Sequence, residues 1–242
     1  MTTVLLIRHG RTAANTAGVL VGRTSGVELD DVGVKQASDA AARLGAVPLR
    51  AIVTSPLRRC RQTAQALQAG RAESCPILVE KGLVECGYGE WTGRSLRDLS
   101  KDKLWHSVQH QPSAVRFPGG ESMTEMSSRA VGAIRSWDRR LAADHGEDVI
   151  WAAVSHGDVI KAILADALGM HLDGFQRLMV DPASISVVRY TPVRPYVVTV
   201  NSAGGDLSGL RQERPKKPRG RRTKDEHDAP VGGGLGGQDV VD

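Results

Sequence analysis

The sequence predicts an α/β fold, a three-layer α/β/α sandwich with a mainly parallel sheet and a helical insertion near one end of that sheet. Three short apolar runs, TVLLI, AIVTS and VIWAAVS, carry no polar alternation, as strands covered on both faces require. Each run is followed by a segment with helical spacing. The repeated strand-then-helix order is the one a parallel sheet needs for its crossovers.

Taken in order, the first run leads to a stripe of Val34, Ala37, Ala41 and Leu44, with Asp30 or Asp31 placed to cap the helix. The second run leads to PLRRCRQTAQALQAG, where Pro56 suits a first helical turn and Gly70 a stop. The pattern loosens between Glu90 and Gly120. There SLRDLSKDKLWHSVQH reads as a helix and QPSAVRFPGG as a turn-rich loop, so an insertion over one end of the sheet is expected at 88–120. From Glu121 a long helix leads back to the third run, whose own helix, GDVIKAILADALG, again ends in glycine. ASISVVRY and PYVVTVN read as two closing strands.

A chain of 242 residues with 40% hydrophobic and 24% charged content fits one globular domain with a trailing segment. The domain is expected to span 1–205. From 206 to 242 the chain turns Gly-, Pro- and charge-rich without apolar periodicity, a composition expected to stay disordered. The formal charge of +5 hints at nucleic acid, yet eight Lys and Arg cluster between Arg211 and Lys224 and acids follow them. The body is therefore close to neutral and offers no broad footprint for nucleic acid. Cys60, Cys75 and Cys86 are odd in number and form no C-x-x-C pair, so a reducing compartment is expected. The first apolar run is too short for a signal peptide, and none reaches the length of a membrane span. A cytoplasmic protein with no membrane partner is the expectation.

The chemistry sits at the strand ends. The first run hands over to Arg8, His9 and Gly10; the third to His156 and Gly157. In open α/β sheets ligands bind at the carboxyl ends of strands, where the strand order reverses. The second run ends in TSPLRRC, which puts Arg58 and Arg59 in the first turn of a helix, a position that favours anions. Two histidines and two arginines converging there suit a dianionic phosphate, because guanidinium forks match its oxygens.

These segments resemble the histidine phosphatase superfamily, whose fold is shared with cofactor-dependent phosphoglycerate mutases. LLIRHGRTAAN is similar to its R-H-G-x-T-x-x-N signature, and GVELDDVGVKQA to the following Leu-x-x-x-Gly-x-x-Gln-Ala helix start. TSPLRRCRQTA is similar to S-x-L-x-R-x-x-x-T-A, with Arg58 and Arg59 both able to supply the arginine. LVECGYGEWTGRS, PGGES and VSHG follow in the family's order, and the motifs cover about Thr3 to Asn201.

The resemblance implies that His9 is the nucleophile and forms a phosphohistidine that water then hydrolyses. Arg8, His156 and one motif arginine would hold the phosphoryl oxygens. Arg58 is preferred for its closeness to Ser55, with Arg59 as the alternative. Asn15 would add a donor and order the loop, and the start of the helix at Gly157 would add backbone donors. Glu85 matches the family's general acid, with Asp158 a weaker rival. His106 and His110 stand at i, i+4, but no third ligand is spaced to complete a metal site. Trp91, Trp105 and Trp137 read as packing residues. No metal and no cofactor are expected.

Phosphatase is favoured over mutase by two departures from the mutase pattern. Ala14 stands where mutases carry Trp, and Cys86-Gly87-Tyr88 where they carry Arg-His-Tyr. The resemblance thus implies a metal-independent phosphomonoesterase acting on a small phosphorylated metabolite, with phosphomutase as the second reading. A non-catalytic phosphate-dependent regulatory module is the third. The far end of the pocket is expected from the Gly22–Arg23 loop and the insertion, with Gly22, Arg23, Trp91, His106 and Arg116 available to face a substrate. Monomer and homodimer both remain open.

Overall fold

The computed structural model describes residues 1–146 and 148–204. The expected boundary at 205 and the tail beyond it lie outside the described residues. The strands are β1 (Thr2–Arg8), β2 (Leu49–Thr54), β3 (Ile77–Val79), β4 (Val149–Ser155), β5 (Ile185–Tyr190) and β6 (Pro195–Ser202). The helices are α1 (Ala13–Thr16), α2 (Asp31–Leu44), α3 (Arg58–Ala69), α4 (Leu96–Leu99), α5 (Lys103–His110), α6 (Met123–His145) and α7 (Gly157–Ala167). They form one six-stranded sheet in the order β3-β2-β4-β1-β5-β6. β1 to β4 run parallel, and β5 and β6 close the sheet as an antiparallel pair.

This is the α/β fold that the apolar runs predict, and the strands they mark lie side by side. β4 sits between β1 and β2, with Arg8 level with Ser155 and Thr54 level with Val154. All three strands therefore end along the same edge. Side chains alternate between two buried layers, as the period of a strand dictates. Leu5, Ile7, Ile52, Ala152 and Val154 pack with α2 and α3 through Ala40, Ala41, Ala64 and Leu67. Val4, Leu6, Val53, Trp151 and Ala153 pack on the opposite face with α6 and α7, through Met126, Ile134, Ile160 and Ile163. The helix after β1 thus covers one face and the helix after β4 the other. Between these two neighbouring strands the chain diverges, and a crevice opens at their carboxyl ends.

Several local expectations are corrected. Val34 is exposed; the buried position at the start of α2 belongs to Gly33. Of the two aspartates expected to cap α2, Asp30 does so, as expected, by accepting from the Gly33 amide at 2.7 Å. α3 begins at Arg58, so Pro56 lies ahead of the first turn, and the helix has no side-chain cap. The single helix expected over 95–110 is two, because the Asp102 side chain caps a fresh start by accepting from the Leu104 amide. Trp91, Leu99, Val108, Val115 and Phe117 from this region join the core on the α6–α7 face. β3, three residues at the sheet edge, has too little pattern to be read from sequence.

Candidate active site

β1 and β4 each end in a polar residue followed by histidine, and the two imidazoles meet edge to face with centroids 5.2 Å apart. Each is nearly or fully buried. The backbone carries His9 into place: its amide donates to the Ser155 carbonyl at 3.0 Å, extending the β1–β4 ladder by one residue. His9 Nδ1 lies 2.7 Å from the Gly10 carbonyl. A carbonyl only accepts, so Nδ1 carries the proton and Nε2 presents its lone pair. Arg59 Nε donates towards that lone pair at 3.3 Å. Burial pushes the His9 pKa well below its ordinary value, and the Arg59 and Arg8 guanidiniums push it further. The ring is neutral at neutral pH, the form a nucleophile needs.

The motif arginine is corrected here. Arg59 is buried, and its Nη2 bonds the Gly22 carbonyl at 2.7 Å and His156 Nδ1 at 3.3 Å. Its Nη1 is buried and has no protein partner among the described residues. Arg58 is exposed and pairs with Glu28 on the surface. Helical geometry explains the swap. With the helix starting at Arg58, rotation by one residue turns the next side chain by about 100° towards the sheet edge. Arg59 also faces the same way as Cys60 and Thr63, which are buried on that side of α3.

His156 is fully buried, and Ser55 Oγ from the end of β2 lies 2.8 Å from its Nε2. Burial lowers its pKa well below the ordinary value, reinforced by Arg59, His9 and Arg8. Arg8 is fully buried and donates from Nη1 to the Val180 carbonyl at 2.7 Å. Three strands and one helix start therefore place Arg8, His9, Arg59 and His156 in one crevice.

Glu85 enters from the segment after β3. Its carboxylate Oε2 lies 3.8 Å from His156 Nδ1, and Oε1 accepts from the Cys86 amide at 2.9 Å. Burial, with Asp158 nearby, raises its pKa to about 7. A carboxyl beside a histidine is thereby held near the midpoint of its titration at neutral pH. Asp158, the rival, is itself buried on α7 and accepts from the Tyr88 hydroxyl at 2.7 Å.

The remaining expected residues separate into groups. Asn15 orders the loop after β1: its Oδ1 accepts from the Thr12 amide and hydroxyl at 3.0 and 2.9 Å, a capping box that starts α1. Gly22 has φ +49° and packs against the Tyr88 ring, so its backbone is turned as well as bonded to Arg59. Arg23 donates from Nε to the Glu85 carbonyl at 2.8 Å and from Nη2 to Glu121 at 2.8 Å. Gly157 begins α7 directly behind His156. Trp91 is buried in a ring cluster with Trp105 and Phe117, and Trp137 donates to Glu80. His106 and His110 stack on each other, and Arg116 pairs with Glu125. Among the described residues, no three His, Cys, Asp or Glu side chains come together as a metal site. None of the described helices is long and apolar enough to cross a membrane.

Sequence reasoning missed the supporting layer. Gly10 and Gly33 touch backbone to backbone, and a Cβ on Gly33 would lie 2.0 Å from the Arg11 carbonyl oxygen. The Gln36 side chain accepts from the Arg11 amide at 3.0 Å, and Asp30 pairs with Arg11 at 2.9 Å. Those contacts account for the glycine and glutamine of the second motif: they fasten α2 to the loop that carries His9.

A neutral imidazole whose Nε2 lone pair meets Arg59, flanked by guanidiniums and a protonatable carboxyl, is an arrangement suited to phosphoryl transfer. A family profile for the histidine phosphatase superfamily (branch 1) matches residues 4–203, and the chain belongs to that superfamily. A probable phosphoglycerate mutase, GpmB, of Proteus mirabilis is 30% identical over 215 residues, 87% of this chain and 95% of its own. Phosphoserine phosphatase 1 of Hydrogenobacter thermophilus is 28% identical over 206 residues, 83% of this chain and 92% of its own. The solved structure of Bacillus stearothermophilus YhfR superimposes with a TM-score of 0.75 at 25% identity, covering 84% of this chain and 98% of that one. Mycobacterial relatives, 33% identical over 193 residues, are longer proteins of which this chain spans about half the length, 50%.

Proposed function

We propose that the protein is a metal-independent phosphomonoesterase acting on a small phosphorylated metabolite through a phosphohistidine on His9. The observation that carries this reading is the 2.7 Å Nδ1–Gly10 carbonyl bond, which leaves Nε2 of His9 as the nucleophilic nitrogen. In the first step Nε2 attacks phosphorus, the P–O bond to the alcohol breaks, and the Glu85 carboxyl gives its proton to the departing oxygen. Arg8, Arg59 and His156 hold the three equatorial oxygens as charge spreads over them. In the second step Glu85, now ionised, takes a proton from water as that water displaces His9 from phosphorus. Inorganic phosphate leaves, and His9 and Glu85 return to their starting states. Asn15 and the Gly157 amide are assigned to phosphate binding, and Gly22 to holding Arg59.

Water rather than a second sugar acid is the acceptor in this reading, because Ala14, Cys86 and Gly87 lack the donors that mutases carry at those places. The mutase alternative has one support, the name of the GpmB relative. The experiment is a comparison of two assays on the purified protein in EDTA. Release of inorganic phosphate from p-nitrophenyl phosphate and from phosphorylated metabolites is expected. Conversion of 3-phosphoglycerate to 2-phosphoglycerate, dependent on 2,3-bisphosphoglycerate and faster than phosphate release, would replace the phosphatase reading with the mutase one.

A further inference from the structure

The Glu85 peptide is gripped by two arginines that share one acid. Arg129, on α6, donates from Nη1 to the carbonyls of Gly82 at 2.8 Å and Val84 at 2.7 Å, and from Nη2 to that of Glu85 at 3.0 Å. Arg23, from the loop after α1, donates from Nε to the same Glu85 carbonyl at 2.8 Å. Glu121, just before α6, accepts from Arg129 Nε at 2.7 Å, from Arg129 Nη2 at 2.9 Å and from Arg23 Nη2 at 2.8 Å. It also accepts from the Gly87 amide at 3.2 Å, and its own amide donates to the Gly87 carbonyl at 2.7 Å. The 82–87 segment leaves a single 3-10 turn at Lys81–Leu83 and joins no strand. The Gly82, Val84 and Glu85 carbonyls have no ladder to pair with and are held instead by side chains.

We infer that Arg129 is a positioning residue for proton transfer: the Arg129–Glu121–Arg23 clamp fixes the Glu85 backbone and so holds its carboxyl against His156. This rests on the reading of Glu85 as the proton donor. The planar guanidinium is what the job requires, since one rigid fork spans three carbonyls and a carboxylate, whereas an ammonium is a single point of charge. Arg129 touches neither histidine, so the clamp acts through Glu85. A small displacement of a positioned acid is enough to cost much of its effect.

The test compares kcat/KM for an alkyl phosphate with that for p-nitrophenyl phosphate in wild type, Arg129→Lys, Glu121→Gln and Glu85→Gln. kcat/KM covers only the steps through release of the alcohol. Nitrophenolate leaves without a proton, so a fault in the donor shows on the alkyl ester alone. Arg129→Lys is expected to lose about tenfold or more on the alkyl ester and less than about threefold on the aryl ester. Glu121→Gln, which keeps the side-chain shape, should show the same selective loss and carries the test should Arg129→Lys fail to fold. Equal losses on both esters, or none, alongside a selective loss in Glu85→Gln would overturn the positioning role alone. A Glu85→Gln variant with no ester selectivity would overturn both the donor reading and this inference.

Discussion

Arg59 Nε lies 3.3 Å from His9 Nε2, and the same guanidinium reaches His156 Nδ1 at 3.3 Å through Nη2. One side chain therefore bridges the two histidines at the strand ends, and it helps to keep both of them neutral. A phosphate entering the crevice would meet Nη1 as a donor that no protein group among the described residues engages.

Arg59→Ala is expected to lower kcat by about 10²- to 10³-fold, the usual cost of removing one preorganised donor to transition-state charge. Arg58→Ala, which removes only an exposed pair with Glu28, should stay within about twofold of wild type. Steady-state rates on an aryl phosphate check both. A reversed ranking would return the catalytic arginine to position 58.

His9→Ala should lose turnover by about 10⁴-fold or more, since it removes the Nε2 lone pair assigned to the attack. Wild type rapidly quenched with labelled substrate should carry an acid-labile, base-stable phosphoryl group, and His9→Ala should carry none. A stable label on the variant would assign the nucleophile to another side chain.

What the sequence made legible is what local pattern encodes. Three unbroken apolar runs and two His-Gly endings placed β1, β2 and β4 and their edge chemistry, because strand period and strand ends are properties of adjacent residues. Choosing between Arg58 and Arg59 was not local. It depended on whether Pro56 opens α3 or stands ahead of it, and a shift of two residues turns a helix by about 200°. The burial of Gly33 in place of Val34 likewise depended on a backbone approach from residues 10 and 11, which no hydrophobic stripe announces. The grip of Arg23 on the Glu85 carbonyl and Glu121 was not legible either, because those partners are 62 and 98 residues away in the chain.

The Glu85 pKa of about 7 gives the pH profile a sign. The acid must be protonated to serve an alkoxide, so kcat/KM on an alkyl phosphate should fall as pH rises through about 7, approaching tenfold per unit. No such limb is expected with p-nitrophenyl phosphate between pH 7 and 8.5. Glu85→Gln should be slow on the alkyl ester and flat over that range. The same limb surviving in Glu85→Gln would place the titrating acid elsewhere, with Asp158 the first group to examine.

Gly33→Ala is expected to damage both stability and rate, because its Cβ would fall 2.0 Å from the Arg11 carbonyl, where backbone rather than a flexible side chain must yield. Overpacking of this kind costs about 1–3 kcal/mol. The Arg11 segment that moves is attached to His9, so kcat/KM should drop together with the melting temperature. A variant that melts like wild type yet is fully active would show that α2 does not hold the loop.

Glu85 should also trade stability for chemistry. Its folded pKa, about 7, lies above the ordinary 4.5, so the folded state holds a proton that the unfolded chain gives up between those values. The stability it contributes is complete below about pH 4.5 and is lost as pH rises through about 7. Above that, the protein buries a carboxylate against its desolvation cost, a penalty on the order of 3 kcal/mol. Glu85→Gln removes the titration while keeping an oxygen for the Cys86 amide. The variant should therefore melt several degrees above wild type at pH 8, given about 2–4 °C per kcal/mol for a domain of this size, and close to it at pH 5. His9 and His156 titrate with the opposite sign, losing stability as pH falls below about 6.5, but they are present in both proteins and cancel in the difference. A difference in melting temperature that stays constant from pH 5 to 8 would mean that Glu85 is already ionised at pH 5, and that its carboxyl is no acid at neutral pH.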